Sequence, residues 1–170
     1  AENIGSLTHS RHVGILATEG TIRSNSYAME IGKLFPDITV TGEPCPLWAA
    51  IVEANEADSP GADYFVKKRI DRLMRRDPAI DTIILGCTHY PLLMNAIVRH
   101  VPDGVRIMPQ GSHVADRLKD YLSRHQDMEA MITRGGTCRY LTTESEERFG
   151  ECAQIFLHEH INAEHVELHD

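Results

Sequence analysis

A short apolar run that ends beside a cysteine constrains this chain more than any other feature. Residues 81–85 read Asp-Thr-Ile-Ile-Leu, and β-branched apolar residues in so short a run predict a buried strand. Gly86 ends the run, and residues 91–98 indicate a helix with proline in its first turn. Cys87 therefore lies where a strand ends and a helix begins. Open α/β sheets bind ligands at this edge, and the amino end of the following helix favours an anion such as a thiolate.

The same alternation of strand and helix extends along most of the chain. Strands are predicted over residues 12–18, 38–41, 81–85, 105–108, 137–142 and 165–168, and helices over 21–35, 47–53, 62–76, 91–98, 112–122 and 143–157. This alternation predicts an α/β fold with a mainly parallel sheet and helices on both faces. Thr143 and Glu146 have capping-box spacing, so we expect Thr143 to open the last helix. Residues 126–136 are polar, and we expect them to be mobile in part.

Composition disfavours several classes of partner. The chain has 170 residues, 42% of them hydrophobic, which is enough for one domain with a sizeable core, with or without an appendage. Its net charge of −8 would repel a nucleic acid, and the basic residues between Lys67 and Arg76 are spaced as the solvated face of an amphipathic helix. No apolar run approaches the roughly 20 residues of a membrane span. We expect a cytoplasmic protein without nucleic-acid or membrane partners, and no glycine-rich phosphate loop is present.

The cysteines and histidines give no sign of a disulfide framework or a metal centre. Cys45, Cys87, Cys138 and Cys152 show neither CxxC pairing nor zinc-ligand spacing, so we expect free thiols in a reducing compartment. The ten histidines lack a partnered cysteine or carboxylate pattern, and we expect no metal ligands among them. Apart from Cys87, the cysteines are interpreted as packing residues.

Three loops at predicted strand ends carry polar groups suited to an amino-acid site. They are residues 18–21, the segment 45–53 and residues 87–89. Each has an ordinary structural explanation when taken alone. A threonine at a helix start is commonly an N-cap, a glutamate at a helix end is commonly solvated, and a buried cysteine commonly belongs to the core. The informative feature is their combination, in this order and with this spacing.

In this combination the chain resembles the carboxyl-terminal portion of the bacterial glutamate racemases, which belong to the aspartate/glutamate racemase superfamily. The resemblance covers nearly the whole chain. Its motifs are residues 14–24 with Tyr27, Cys45-Pro46-Leu47 with Val52-Glu53, residues 85–92 (LGCTHYPL), and Leu141-Thr142-Thr143. The segment 85–92 is the most specific of them.

The resemblance implies a reaction and a set of site residues. In that family, glutamate is interconverted between its L and D forms without pyridoxal phosphate or metal, and the D-glutamate is used for peptidoglycan. One cysteine removes the α-proton from one face while a second supplies a proton to the other. The resemblance makes Cys87 one of these cysteines, with His89 and Glu53 tuning or relaying its proton. A histidine beside a thiol is also what general-base chemistry requires, because only the thiolate is a competent base.

The resemblance also implies which groups hold the substrate. Thr88 matches a residue that binds the α-amino and carboxylate end of glutamate. Thr18 and Thr21 match hydroxyls that line the same pocket. Two alternatives remain open: a related racemase acting on aspartate or a hydantoin, and a non-catalytic fragment that binds a ligand or has only a structural role. The combination of the Cys45 and Cys87 motifs favours glutamate.

The chain departs from the family in what precedes residue 14. The family has an amino-terminal lobe with an Asp-Ser pair, a Pro-Tyr-Gly segment and the other cysteine in an Ala-Cys-Asn-Thr motif, and none of them stands ahead of that residue. The chain also lacks an initiator methionine. We expect a carboxyl-terminal portion in which residues 1–112 form the second lobe and residues 113–170 form a β/α tail that in the family completes the first lobe.

This departure has consequences for activity and assembly. With one base absent, we expect negligible racemase activity from the chain alone. The missing amino-terminal lobe and glutamate are then the expected partners. The apolar stripe of the tail, at Phe149, Ile155, Phe156 and Leu157, would lack its usual cover, so we expect self-association. A second departure is the segment 108–112 (MPQGS), where the family commonly has an Asp-Ser pair.

Overall fold

The computed structural model describes residues 4–168, which form two compact units, one up to Ala115 and one from Asp116. The first unit contains a four-stranded sheet made of β1 (His12–Ala17), β2 (Thr39–Pro44), β3 (Thr82–Leu85) and β4 (Arg106–Pro109). The strand order is β2-β1-β3-β4, and every neighbouring pair is parallel. The helices of this unit are α1 (Ile4–Leu7), α2 (Glu19–Ser24), α3 (Ser26–Leu34), α4 (Trp48–Glu53), α5 (Pro60–Arg76) and α6 (Met94–His100). Helix α7 (Gln110–Arg124) begins in the first unit and continues past Ala115 into the second.

Helices cover both faces of this sheet, as the sequence predicts. Val13 and Ile15 of β1 pack in one buried cluster with Ile31 of α3. On the opposite face, a Cβ placed on Gly14 would lie 2.8 Å from Leu73 Cδ2 of α5. Because successive residues of a strand point to opposite faces, β1 is buried on both sides, which explains its continuous apolar sequence.

Two of the predicted helices are interrupted. The helix predicted over residues 21–35 is divided at Asn25, whose φ of 53° is in the left-handed region and ends α2 before α3 begins. Asparagine tolerates this conformation better than most residues. The helix predicted after Cys87 starts as a 3-10 turn, Tyr90–Leu93, and the regular helix α6 begins only at Met94. The prediction that the amino end of a regular α-helix follows Cys87 directly is therefore wrong.

The second unit holds α8 (Gln126–Ala130), β5 (Tyr140–Thr142), α9 (Glu146–Leu157) and β6 (Ala163–His165), and its two strands pair in parallel. Part of the segment predicted to be mobile is thus helical. Ser145, not Thr143, caps α9 by accepting a hydrogen bond from the Arg148 N–H. The Glu146 carboxylate instead accepts from the backbone N–H of His165 at 2.7 Å. No helix within residues 4–168 is long and apolar enough to cross a membrane.

A buried carboxylate on β2 forms ion pairs with arginines on the basic face of α5. The Glu43 side chain on β2 is fully buried, and Arg69, Arg72 and Arg76 lie 3.0, 3.4 and 3.5 Å from it. Only 18% of the Arg69 side chain is exposed. A buried carboxylate requires such partners, because leaving it without charge-assisted hydrogen bonds would be costly. The side chains of Arg72 and Arg76 remain 54% and 52% exposed, so the prediction of a solvated basic face is wrong only at Arg69.

A second carboxylate anchors the chain ahead of β1 and β3. Asp81 accepts hydrogen bonds from the backbone N–H groups of His9 and Ser10, both at 2.7 Å, and from the Thr82 hydroxyl at 3.0 Å. Burial opposes ionisation of this group, but these bonds and one from Thr8 prevail and hold the pKa of Asp81 well below its usual range. The ionised form therefore fixes the entry to β1 against the start of β3.

Adding one methyl group at Gly14 is expected to destabilise the first unit. The new Cβ of Gly14→Ala would crowd Leu73, Ile80 and Ile83, so unfolding should require about 1–3 kcal/mol less free energy, measured by urea denaturation. Gly32→Ala is the matched control, because a Cβ there meets nothing within 4 Å and lies inside α3. It should stabilise by about 0.5–1 kcal/mol. Equal effects of the two substitutions would contradict the packing described for β1.

Removing the Asp81 charge is expected to change how stability depends on pH. Because its folded pKa is lowered, the carboxylate stabilises the fold above its unfolded pKa of about 4 and loses that contribution as the pH falls through the folded value. Asp81→Asn should therefore cost about 1–3 kcal/mol at pH 7 and progressively less in acid. The exposed Asp103→Asn is the control. A penalty for Asp81→Asn that stays constant down to pH 2 would refute this assignment.

Candidate active site

The parallel register brings the ends of three strands to one edge of the sheet. Leu16 of β1 pairs with Leu85 of β3, and Ala17 pairs with Pro44 of β2. The pairing with β2 extends one residue further, since the Cys45 N–H donates to the Ala17 carbonyl at 2.8 Å. The loops that follow β1, β2 and β3 therefore leave the sheet at adjacent positions, as the sequence analysis expects of a ligand site.

Gly86 allows the loop that carries Cys87 to pack closely against β1. Its N–H donates to the Leu16 carbonyl at 2.7 Å. A Cβ on Gly86 would lie 2.9 Å from the Ala17 Cβ and 3.4 Å from the Tyr27 ring. The backbone immediately before Cys87 consequently packs so closely that a side chain at position 86 would push the loop away.

Cys87, His89 and Glu53 form a continuous chain of contacts. The Cys87 Sγ lies 3.6 Å from the His89 Nδ1, and the His89 Nε2 lies 2.9 Å from the Glu53 Oε1. Cys87 is half-buried, whereas 24% of the His89 side chain and 54% of the Glu53 side chain are exposed. Glu53 is the last residue of α4, so a helix end supplies the carboxylate and the loop after β3 supplies the thiol and the imidazole.

This order of groups favours one tautomer of the imidazole. A carboxylate can only accept a hydrogen bond, so Glu53 favours the His89 tautomer that carries its proton on Nε2. The Nδ1 lone pair then faces the Cys87 thiol and can accept its proton. The resulting imidazolium would lie between a thiolate and a carboxylate, both of which stabilise it. The Thr88 hydroxyl lies 3.5 Å from the same Nδ1 and can also hydrogen-bond to it.

Thr18 and Thr21 form a separate pair at the end of β1. Thr18 is the N-cap of α2, and its hydroxyl oxygen lies 3.0 Å from the Thr21 hydroxyl. The capping role accounts for Thr18 without any ligand. Thr21 also lines a cavity of about 260 Å³ together with Asn25, Val40 and Arg76. The structure thus brings four of the six predicted site residues into mutual contact and leaves these two threonines bonded to each other.

The remaining thiols differ in environment. All four cysteines are free. Burial raises the pKa of Cys45 far above its usual value, and the nearby Glu43 carboxylate adds to this, which agrees with a packing residue. Cys138 is exposed, so its interpretation as a packing residue is wrong. Within residues 4–168, no three His, Cys, Asp or Glu side chains are grouped as a metal site.

No sequence motif predicts a role for Gln110. Its side-chain amide donates to the Leu85 carbonyl at 2.9 Å and to the Tyr27 hydroxyl. It therefore joins the end of β3 to α3 from the first residue of α7. Gln110 lies in the segment where the chain departs from the family pattern, so no motif marked it. A polar residue directly after β4 was the available signal.

The family model and the most similar known proteins that the chain is compared with are all racemases. A family model described as Asp/Glu/Hydantoin racemase matches residues 4–116. A glutamate racemase from Latilactobacillus sakei is 36% identical over 150 residues, covering 88% of this chain and 53% of that protein. One from Lactiplantibacillus plantarum is 34% identical over 165 residues, covering 95% of this chain and 59% of that protein.

Solved structures agree with the sequence relatives. A glutamate racemase isoform from Bacillus anthracis matches with a TM-score of 0.85 and 29% identity, over 98% of this chain and 61% of the other. One from Francisella tularensis, solved in complex with D-glutamate, matches with a TM-score of 0.80 and 25% identity, over 99% and 61%. The chain thus spans 53% to 61% of the length of these four proteins.

The contact between Glu53 and His89 is expected to speed alkylation of Cys87. Glu53→Gln removes the charge that stabilises the imidazolium, so iodoacetamide should modify Cys87 more slowly at neutral pH. The expected factor is about 2- to 5-fold, because an exposed ion pair contributes only about 0–1 kcal/mol. Peptide mass spectrometry would follow each cysteine, with Cys138 as internal reference. The exposed Glu56→Gln is the matched control. Equal rates in Glu53→Gln and Glu56→Gln would show that Glu53 does not assist the thiol.

Proposed function

Because the chain belongs to the Asp/Glu/Hydantoin racemase family, we propose that it supplies one catalytic half of a glutamate racemase. The observation that carries this proposal is the contact chain from Cys87 through His89 to Glu53. The relatives named glutamate racemase, one of them solved with D-glutamate, support glutamate as the substrate. The expected setting is the cytoplasm, where D-glutamate serves peptidoglycan synthesis.

The proposed reaction begins with activation of the thiol. Cys87 passes its proton to the His89 Nδ1, and the Glu53 carboxylate stabilises the imidazolium. The thiolate then removes the α-proton from one face of glutamate. A second base on the opposite face returns a proton to the carbanion and inverts the centre. In the reverse direction, the Cys87 thiol donates the proton and His89 restores it.

Binding of glutamate is assigned to hydroxyl groups around this relay. Thr88, which is exposed and lies beside His89, would bind the α-amino and carboxylate end of the substrate. Thr18 and Thr21 would line the same pocket from the end of β1. Their mutual hydrogen bond fixes the two hydroxyls at the start of α2, which would orient them before the substrate arrives.

The second base is proposed to come from a partner lobe. We assign residues 1–112 to the lobe that carries Cys87, and residues 113–170 to the tail that completes the other lobe. Proton removal from one face and return to the other require two bases, so the chain alone should not racemise glutamate. The partly exposed tail residues Phe149, Phe156 and Leu157 support association with that lobe or with a second copy of the chain.

Complementation provides the decisive test. The chain would be mixed with the amino-terminal part of the Latilactobacillus sakei relative that it does not match, and conversion of L-glutamate followed by circular dichroism. We expect negligible turnover by either piece and measurable turnover by the mixture. Cys87→Ala should lower that turnover by about 10²- to 10⁴-fold, because it removes a catalytic base. Cys152→Ala is the control, since Cys152 is half-buried in α9.

The outcomes separate the competing functions. Turnover by the chain alone would refute the half-site. Turnover by the mixture that survives Cys87→Ala would refute the role of the thiol. If the mixture stays inactive while glutamate protects Cys87 from alkylation, the chain is a ligand-binding fragment. Faster conversion of aspartate than of glutamate would assign the related racemase activity instead.

A further inference from the structure

The pair formed by Glu53 and His89 does not hold itself in place. The two residues are on different elements, and 54% of the Glu53 side chain is exposed. An exposed ion pair contributes only about 0–1 kcal/mol and is screened by salt, so it cannot dictate where a helix end lies. Another contact must fix the end of α4 relative to the loop that carries His89.

Tyr90, the residue next to His89, makes that contact. It is fully buried, and its hydroxyl donates to the Cys45 carbonyl at 3.1 Å. The same carbonyl accepts the backbone N–H of Trp48, the first residue of α4, at 3.3 Å. The rings of Tyr90 and Trp48 also meet edge to face, with centroids 4.9 Å apart and planes at 62°. Tyr90 therefore contacts the Trp48 ring at the start of α4 directly, and its hydroxyl shares the Cys45 carbonyl with the Trp48 N–H.

The hydrogen bond from Tyr90 to the Cys45 carbonyl does not depend on pH in the range where the enzyme would act. Burial raises the pKa of Tyr90 well above its usual value, and the neighbouring thiols add to the effect. The phenol therefore stays protonated while the thiol and imidazole exchange protons. A carbonyl can only accept, so the hydroxyl has a single direction in which to donate. Protonation changes at His89 leave this bond in place.

We propose that Tyr90 is a positioning residue, whose hydrogen bond to the Cys45 carbonyl places α4 so that Glu53 reaches His89. The geometric part of this proposal concerns the pair alone. Its consequence for Cys87 rests on the proposed function, in which Glu53 assists the thiol through His89. Two readouts can separate the geometric part from the functional part.

The test is a double-mutant cycle of Tyr90→Phe and Glu53→Gln, measured first on the imidazole. The pH midpoint of the His89 ring signals would be followed by NMR. Each substitution should lower that midpoint by about 0.2 to 0.7 pH units, because the imidazolium loses its carboxylate partner. The double variant should shift no further than Glu53→Gln alone, since the two substitutions break one interaction.

The second readout is the rate of Cys87 alkylation by iodoacetamide. Tyr90→Phe should slow it by about the same 2- to 5-fold factor as Glu53→Gln, again without further loss in the double variant. Tyr64→Phe is the matched control, because Tyr64 is 59% exposed and lies on α5. It should leave both readouts unchanged. Trp48→Phe, which keeps a ring beside Tyr90, should also leave the midpoint within about 0.1 units, as expected if the hydroxyl bond dominates.

The possible results divide cleanly. If Tyr90→Phe leaves the His89 midpoint unchanged, or if its shift adds to that of Glu53→Gln, the positioning role is refuted. A Trp48→Phe shift as large as that of Tyr90→Phe would also refute it, because ring packing would then be responsible. If the midpoint responds as expected but Cys87 alkylation does not, the positioning role stands and the proposed function of the relay fails. Urea unfolding of each variant checks that it is folded, and a stabilising osmolyte can be added for all variants.

Discussion

The hydrogen bond from the Gly86 N–H to the Leu16 carbonyl is the constraint on which the site depends. It continues the β1–β3 pairing one residue past the strand, and the absent side chain at position 86 allows the backbone to lie against Ala17. Parallel strands present their carboxyl ends at one edge, so groups far apart in sequence meet there without contacting each other elsewhere. The thiol is thus placed by backbone geometry before any side chain of the site contributes.

The site combines exposed reactive groups with buried residues that hold them in position. Glu53 and Thr88 are exposed, and His89 is partly so, whereas Tyr90 and Trp48 beneath them are fully buried. Loops that carry function are commonly held this way, since a mobile surface group can act reproducibly only when its neighbours are fixed. The buried Glu43 also helps to fix this edge of the sheet, because it lies two residues before Cys45 and its ion pairs join β2 to α5.

The sequence allowed the sheet to be predicted better than the helices. Strands β1 and β3 carry β-branched apolar runs, and burial on both faces leaves that signature wherever it occurs. The division at Asn25 and the 3-10 turn at Tyr90 could not be inferred from hydrophobic spacing, because both depend on local backbone geometry. Glu43 resembled an ordinary charged residue, and only the tertiary structure shows that arginines of α5 surround it. The contact between Glu53 and His89 was implied by the family resemblance, since nothing in their spacing requires it.

The position of Asp81 has a consequence for electrostatics across the sheet. Asp81 precedes β3 and Cys87 follows it, so five intervening residues, four of them in the strand, separate them by roughly 15 to 20 Å. At that distance two unit charges interact by only about 1 kcal/mol at an effective dielectric constant of about 20. Charges that appear and disappear on the thiol and imidazole therefore act only weakly on the carboxylate that anchors the strands. Asp81 can therefore stay ionised and hold the strands together while protons move between the thiol and the imidazole at the opposite edge of the sheet.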